Sequence, residues 1–128
     1  MAKKPAVRGT LRSLRSSNTF RDFVLDQLSG VRDVRARAMF GGIGLYAGET
    51  FFGLIANDVL YLKTDDTNRA DYIAAGSEGF RPYPDKPMAM PYYNVPVDVL
   101  ESAETLAHWA KASITIAESA PRSARRRK

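Results

Sequence analysis

Between Val34 and Lys63 the sequence is broken into short runs of alternating character by closely spaced turn signals, and nothing else in the chain narrows the possible folds as much. Val34, Ala36, Ala38 and Phe40 alternate with Arg35, Arg37 and Met39, the pattern of a half-buried strand with two arginines on its outer face. Gly41-Gly42 breaks that strand, and Ile43–Ala47 reads as a second. Ala47-Gly48-Glu49 supplies a turn, Thr50–Ala56 is a third strand rich in Phe and Ile, Asn57-Asp58 is a two-residue hairpin signal, and Val59–Lys63 is a fourth. Connections this short leave no room for a crossover, so successive strands must run antiparallel, as a meander.

Helical spacing flanks this block. Phe20, Phe23, Val24 and Leu28 fall at i, i+3, i+4 and i+8, which predicts a helix over Asn18–Leu28 with its aromatic face in the core. Asn18 is the expected N-cap, and Gly30 stands where a left-handed residue would end the helix. Asp65-Asp66-Thr67 opens a second helix that runs to about Ala75, because acids cap free N–H groups and meet the positive end of the helix dipole; Gly76 ends it. Phe80–Tyr83 and Met88–Tyr92 read as two strands around Pro84-Asp85-Lys86-Pro87, and the prolines predict edge positions or irregular pairing. Val95–Leu100 is a turn or a helical start. Ser102–Ala117 is a last helix, capped by Ser102 with Glu104 in its first turn, and Leu106, Trp109, Ala110, Ser113 and Ile114 form its buried stripe. The expected fold class is therefore α+β: an antiparallel sheet of about five to six strands with helices packed against it, in the order helix, three or four strands, helix, two strands, helix.

A chain of 128 residues fits one domain. Its charge is unevenly placed. Residues 1–17 carry five basic groups and no acid, residues 121–128 do the same, and residues 18–120 hold all 14 acids and sum to −5. The expected organisation is a mildly acidic folded domain over residues 18–120 between two disordered basic tails. Such tails are drawn to polyanions, so Arg122, Arg125, Arg126, Arg127 and Lys128 are candidate nucleic-acid contacts, as are Arg32, Arg35 and Arg37 within the domain. The content of 45% hydrophobic residues excludes wholesale disorder. No apolar run approaches the roughly 18 residues of a membrane span. The basic start lacks the apolar run of a secretory signal, although an Arg-rich, acid-free start also suits an organelle transit peptide. The absence of cysteine excludes disulfides, thiolate metal sites and cysteine nucleophiles, and it fits a cytoplasmic location.

Chemical motifs are sparse. Gly42-Ile43-Gly44-Leu45-Tyr46-Ala47 has the letters G-x-G-x-x-A, but a strand pattern follows it where a dinucleotide fingerprint needs a helix N-terminus. Its glycines read as backbone devices, for a bulge or close approach. Asp66-Thr67-Asn68 begins like a calcium loop, but Ala70 and Tyr72 break the ligand spacing. His108, the one histidine, reads as a helix-surface or partly buried residue, and the serines lack a nucleophile-elbow context. No catalytic, cofactor or metal residues are expected, and the chain reads as a non-enzyme. The aromatics Phe51, Phe52, Tyr61, Tyr92 and Tyr93 are a candidate stacking platform, with about half of them turned to the core by strand alternation. Tyr92-Tyr93 beside Pro91 suggests an interface.

Three segments, Ala38–Tyr46, Tyr61–Arg69 and Met88–Pro96, in this order and spacing resemble the N-terminal domain of the TfoX/Sxy family, over roughly Thr19 to Ala117. The resemblance implies an α+β domain of a bacterial cytoplasmic protein. It also implies a regulator of natural competence that acts with a cyclic-AMP-responsive transcription activator. Full-length members carry a second, C-terminal helical domain, whereas only the basic tail follows Ala120 in this sequence. The family supplies no catalytic residue to carry over. Its motifs suggest folding roles: Gly41, Gly42 and Gly44 for backbone geometry, Asp65 and Asp66 for capping, Pro91 and Pro96 for turns. The expected function is a non-enzymatic regulatory or interaction module that meets a protein partner, with the Arg-rich tails adding non-specific nucleic-acid contact. The alternative is a small-ligand-binding or enzymatic domain with a pocket near Gly41, Gly42 and Gly44 and Tyr92-Tyr93. A third reading is a homodimer whose interface is a sheet edge or the Tyr92-Tyr93 face.

Overall fold

The computed structural model describes residues 16–39, 41–81 and 90–119. The meander forms as its turn chemistry demands. Strands β1 (Val34–Met39), β2 (Gly42–Ala47), β3 (Thr50–Ala56) and β4 (Val59–Lys63) lie side by side, each antiparallel to the next. Asn57 and Asp58 adopt φ 54° and 61°, the paired left-handed backbone of the turn whose twist matches a hairpin. Gly41, at φ 84°, turns the chain between β1 and β2.

Two further strands complete a six-stranded antiparallel sheet of order β1-β2-β3-β4-β6-β5, with β5 at Gly79–Phe80 and β6 at Met90–Asn94. Both are displaced from the sequence reading. Arg81 already lies outside β5, and β6 runs two residues beyond Tyr92 because Asn94 joins the ladder: its side chain accepts from Glu78 N (2.8 Å) and its N–H donates to Glu78 O (3.2 Å). The expected strand residues Pro82, Tyr83, Met88 and Ala89, like Phe40, lie outside the described residues. Pairing of β5 with β6 is irregular, as the prolines predict. Pro91, which has no N–H, still contributes its carbonyl to both the backbone and the hydroxyl of Thr64 (2.8 and 3.0 Å).

Helices α1 (Asn18–Gln27), α2 (Arg69–Ala74), α3 (Val97–Leu100) and α4 (Ala103–Glu118) share one core with the inner sheet face. Val24, Leu28, Leu45, Phe52, Ile55, Leu60, Leu62, Leu106 and Ala110 are all buried there. Each large apolar side chain so placed contributes about 1.5–3 kcal/mol relative to exposure. On α4 the stripe is Leu106, Ala110, Ser113 and Ala117, with Trp109 and Ile114 half-buried beside it. The Ser113 hydroxyl is buried and donates to Lys63 O at 2.7 Å, pinning the helix to the end of β4.

Helix α1 departs from expectation in three ways. Its cap is Ser17, whose Oγ accepts from Phe20 N at 3.0 Å, and Asn18 is already helical. Phe23 is 40% exposed, because Val24 and Leu28 take the inward positions and Phe20 and Leu25 pack at the margin. The left-handed residue after the helix is Asp33 (φ 62°) and not Gly30; its carbonyl accepts from Gly48 N at 2.9 Å, closing the β1–β2 end. The start of α1 is tied to the β3–β4 turn, since Ser17 N donates to Asp58 Oδ1 (2.7 Å) and Asp58 N donates to Ser16 Oγ (3.0 Å).

The second helix also begins later than its acids suggest. Asp65 accepts from the N–H and hydroxyl of Thr67, and its own N–H donates to Asn68 Oδ1. It caps a turn that precedes Arg69. Those bonds from Thr67 hold the Asp65 carboxyl below the usual carboxylate range. Asp66 caps nothing; it is exposed and pairs with Arg69 at 2.9 Å.

Candidate functional site

The outer face of the sheet holds a second apolar cluster made only of strand residues: Leu54, Ala56, Tyr61, Phe80 and Tyr92, with Phe51 and Val59 beside it. Its geometry follows from the pleat. Gly44 pairs with Leu54, Leu54 with Tyr61, and Lys63 with Tyr92, so these residues project to one side. A bulge at Leu45/Tyr46 sets Tyr46 opposite Phe51 on the same side.

The outcome is a row of rings with a cation at each end. Tyr46 and Phe51 lie 5.3 Å apart between centroids, and Phe51 and Tyr92 5.6 Å. The Arg37 guanidinium stands 5.3 Å from the Tyr46 ring, and Lys63 Nζ stands 5.2 Å from the Tyr92 ring. Gly44 makes this row possible. A Cβ there would sit 2.7 Å from Met39 Sδ, 3.1 Å from Phe51 and 3.3 Å from Tyr46. The position is therefore a floor for neighbouring side chains, the close approach expected of glycines in this motif. Exposure rises across the row: Tyr92 is buried, Phe51 and Tyr46 are half-buried, and Arg35 and Arg37 on β1 are exposed. Burial pushes the Tyr92 hydroxyl pKa up to about 12, with Tyr46 adding to the rise.

The sequence candidates separate on this frame. Arg35 and Arg37 share the outer face of β1 and line a concavity of about 470 Å³ with Ala36, Tyr46, Gly48 and Glu49. Arg35 lies 3.8 Å from Asp33, with both side chains well exposed. Arg32 lies apart from them. It lines another concavity, of about 510 Å³, with Val31, Asp33 and residues of α4 that include Lys111 and Glu118. Arg122, Arg125, Arg126, Arg127 and Lys128 lie outside the described residues.

Tyr92 and Tyr93 part company: Tyr92 joins the outer row, whereas Tyr93 turns inward against Tyr72 (6.1 Å). Phe52 is likewise internal, and Tyr61 packs edge-on to Phe80 at 5.0 Å. The aromatic platform thus keeps Phe51, Tyr61 and Tyr92 from the sequence set and gains Tyr46, which stands opposite Arg35 in the regular β1–β2 register; the bulge is what brings Phe51 to it. Gly41 and Gly42 serve the β1–β2 turn. His108 is exposed on α4. Among the described residues no three His, Asp or Glu side chains gather as metal ligands, and no helix is long and apolar enough to cross a membrane.

One group of buried polar side chains lies on the inner side, at Tyr72 and Ser113. Tyr72 packs edge-on to Trp109 at 4.7 Å, and its buried hydroxyl pKa is raised to about 12 by desolvation. The Ser113 hydroxyl lies near enough to oppose that rise, yet outside hydrogen-bonding geometry, its own proton directed at Lys63 O.

Comparison with known proteins agrees with the resemblance in the three motifs. The family profile described as the TfoX N-terminal domain matches residues 26–117, most of the chain, and the protein belongs to that family. Comparison with curated proteins finds no match.

Proposed function

We propose, taking membership of the TfoX N-terminal domain family as the premise, that this chain is a non-enzymatic interaction module of competence-related regulation. The partner would be a protein, met on the β1–β2 half of the outer sheet face. The observation that carries this reading is the graded outer face, where ring packing is closed around Tyr92 and Phe80 and opens toward Tyr46, Arg37 and Arg35. Aromatic rings with an arginine beside them are the side chains that most often anchor protein interfaces. The terminal arginines would add salt-dependent, non-specific attraction to nucleic acid, a supporting role suited to their charge.

A photo-crosslinking residue placed at Tyr46 in the full chain, compared with one at Ala112 on the exposed side of α4, tests the surface. The expected result is a discrete protein adduct from position 46 and none from 112; equal labelling from both, or none from 46, would overturn it. The tail role is tested separately by DNA titration at several salt concentrations. Replacing Arg122, Arg125, Arg126, Arg127 and Lys128 with glutamine should lower the slope of log affinity against log salt by up to about 0.9 per lost phosphate contact. An unchanged slope removes the tail from the account.

A further inference from the structure

Strand β1 ends the sheet. It pairs with β2 along Val34–Met39, and among the described residues no strand lies on its other side. An unpaired edge displays backbone N–H and C=O groups that can accept another strand. Its side chains describe the strand that would fit. On the outer face stand Arg35 and Arg37; on the inner face stand Val34 and Ala36, half-buried against the core. Arg37 is steadied over the Tyr46 ring, and among the described residues no carboxylate lies within ion-pair distance of it.

A second copy of the chain is the wrong occupant. A two-fold antiparallel seam pairs residues of the same face. Its two fullest registers are centred on Ala36 and on Arg37. The first sets Arg35 opposite Arg37 twice, and the second sets Arg37 opposite itself. Like charges directly opposite across strands are destabilising, so the arginines guard this edge against self-pairing.

We propose that the β1 edge receives an extended acidic segment of a partner protein as an added antiparallel strand. Carboxylates at alternate positions of that segment would meet Arg35 and Arg37, and small apolar residues between them would continue the inner face beside Val34 and Ala36. Main-chain bonds give such additions their affinity and the alternating side chains their selectivity. Glu49, on the rim of the concavity shared with Arg35 and Arg37, repels a carboxylate there, so the acidic positions must stay opposite the two arginines. The inference rests on the interaction-module reading and names the chemistry of its partner.

The probe is a fluorescently labelled peptide of four Glu-Val repeats, titrated by anisotropy against the full chain. The expected result is saturable binding that weakens at least tenfold in an Arg35→Gln/Arg37→Gln variant of unchanged melting temperature. Binding should also be lost when lysine replaces glutamate or when alternate peptide amides are N-methylated. It should persist when Arg122, Arg125, Arg126, Arg127 and Lys128 are all replaced by glutamine, and amide exchange should slow along β1. Absence of binding, equal binding by the N-methylated peptide, indifference to the arginine variant, or dependence on the terminal arginines would each overturn the proposal. So would an oligothymidylate of equal charge that binds more tightly through Arg35 and Arg37, because the site would then be one for nucleic acid. If the arginine variant still forms the position-46 crosslink while the peptide fails, the acidic strand falls and the interaction module stands.

Discussion

Replacing Gly53 with alanine should destabilise this domain, although the general rule for glycine inside a strand says the opposite. Alanine in place of strand glycine is worth about 0.5–1 kcal/mol through lost backbone freedom. At Gly53, however, a Cβ would stand 2.8 Å from the carbonyl oxygen of Tyr61 and 2.9 Å from Leu62 Cδ2. Both belong to β4, and Gly53 faces Leu62 directly in the ladder. The first contact is roughly 0.5 Å or more short of ordinary separation, and a backbone oxygen cannot swing away as a side chain can. Relief requires β3 and β4 to part under the inner core, and overpacking of this kind costs about 1–3 kcal/mol. The net loss is about 1–2 kcal/mol, which lowers the melting temperature by roughly 3–10 °C in a domain of this size. Gly30→Ala is the reference, because a Cβ there meets nothing within 4 Å and its φ lies outside the left-handed region. It should leave stability unchanged or raise it by up to about 1 kcal/mol. Calorimetry and urea unfolding of both variants decide the matter. A Gly53→Ala protein as stable as wild type, or shifted like Gly30→Ala, would refute the close approach of β3 and β4.

The two raised tyrosines predict alkaline sensitivity. Tyr72 and Tyr92 keep their protons to about pH 12 in the folded state, whereas unfolded tyrosine releases its proton near 10. Their contribution is therefore intact below pH 10 and disappears as pH rises from 10 to 12, by about 2–3 kcal/mol each at most; urea midpoints for wild type and Tyr92→Phe across pH 9–12 should diverge in that window, and parallel curves would refute it. Ser17→Ala and Ser102→Ala each remove a side-chain cap and should cost about 1 kcal/mol in chemical denaturation. Ser113→Ala deletes the bond to Lys63 O and should cost about 1–3 kcal/mol, with faster amide exchange where α4 meets β4.

The sheet was legible wherever a local rule also satisfied the tertiary structure. Asn57-Asp58 announced its hairpin because two left-handed residues are needed there and few other residues supply them. The α4 stripe was legible because a sixteen-residue helix gives its period several turns to declare itself. Of the four residues at helical spacing over residues 20–28, Val24 and Leu28 take the core and Phe20 packs against it, while Phe23 is left out, because a ten-residue helix gives its period too few turns to fix the edge of the buried face. The end of β6 was obscured by Pro91 and is set by pairings distant in sequence, to β4 and to Glu78 and β5. Candidate surface residues were legible by type and not by company. Arg35 and Arg37 follow from alternation, and Tyr46 stands opposite Arg35 in a regular β1–β2 register, but Phe51 reaches Tyr46 through a bulge, and which of Tyr92 and Tyr93 faces outward needs the register of β4 and β6.

The strand order has a consequence for how the molecule is made. As the chain leaves the ribosome, β1 to β4 can zip together in the order of synthesis, each strand finding its partner already present. Strand β5 then appears with nothing to pair with, because its neighbour β6 has yet to be translated and must slide between it and β4. Until α4 follows, the inner face of β3 and β4 lacks its main covering helix. Elongation through residues 64–118 is thus the interval in which a half-built sheet is open to the cell, and the interval in which a chaperone would find it.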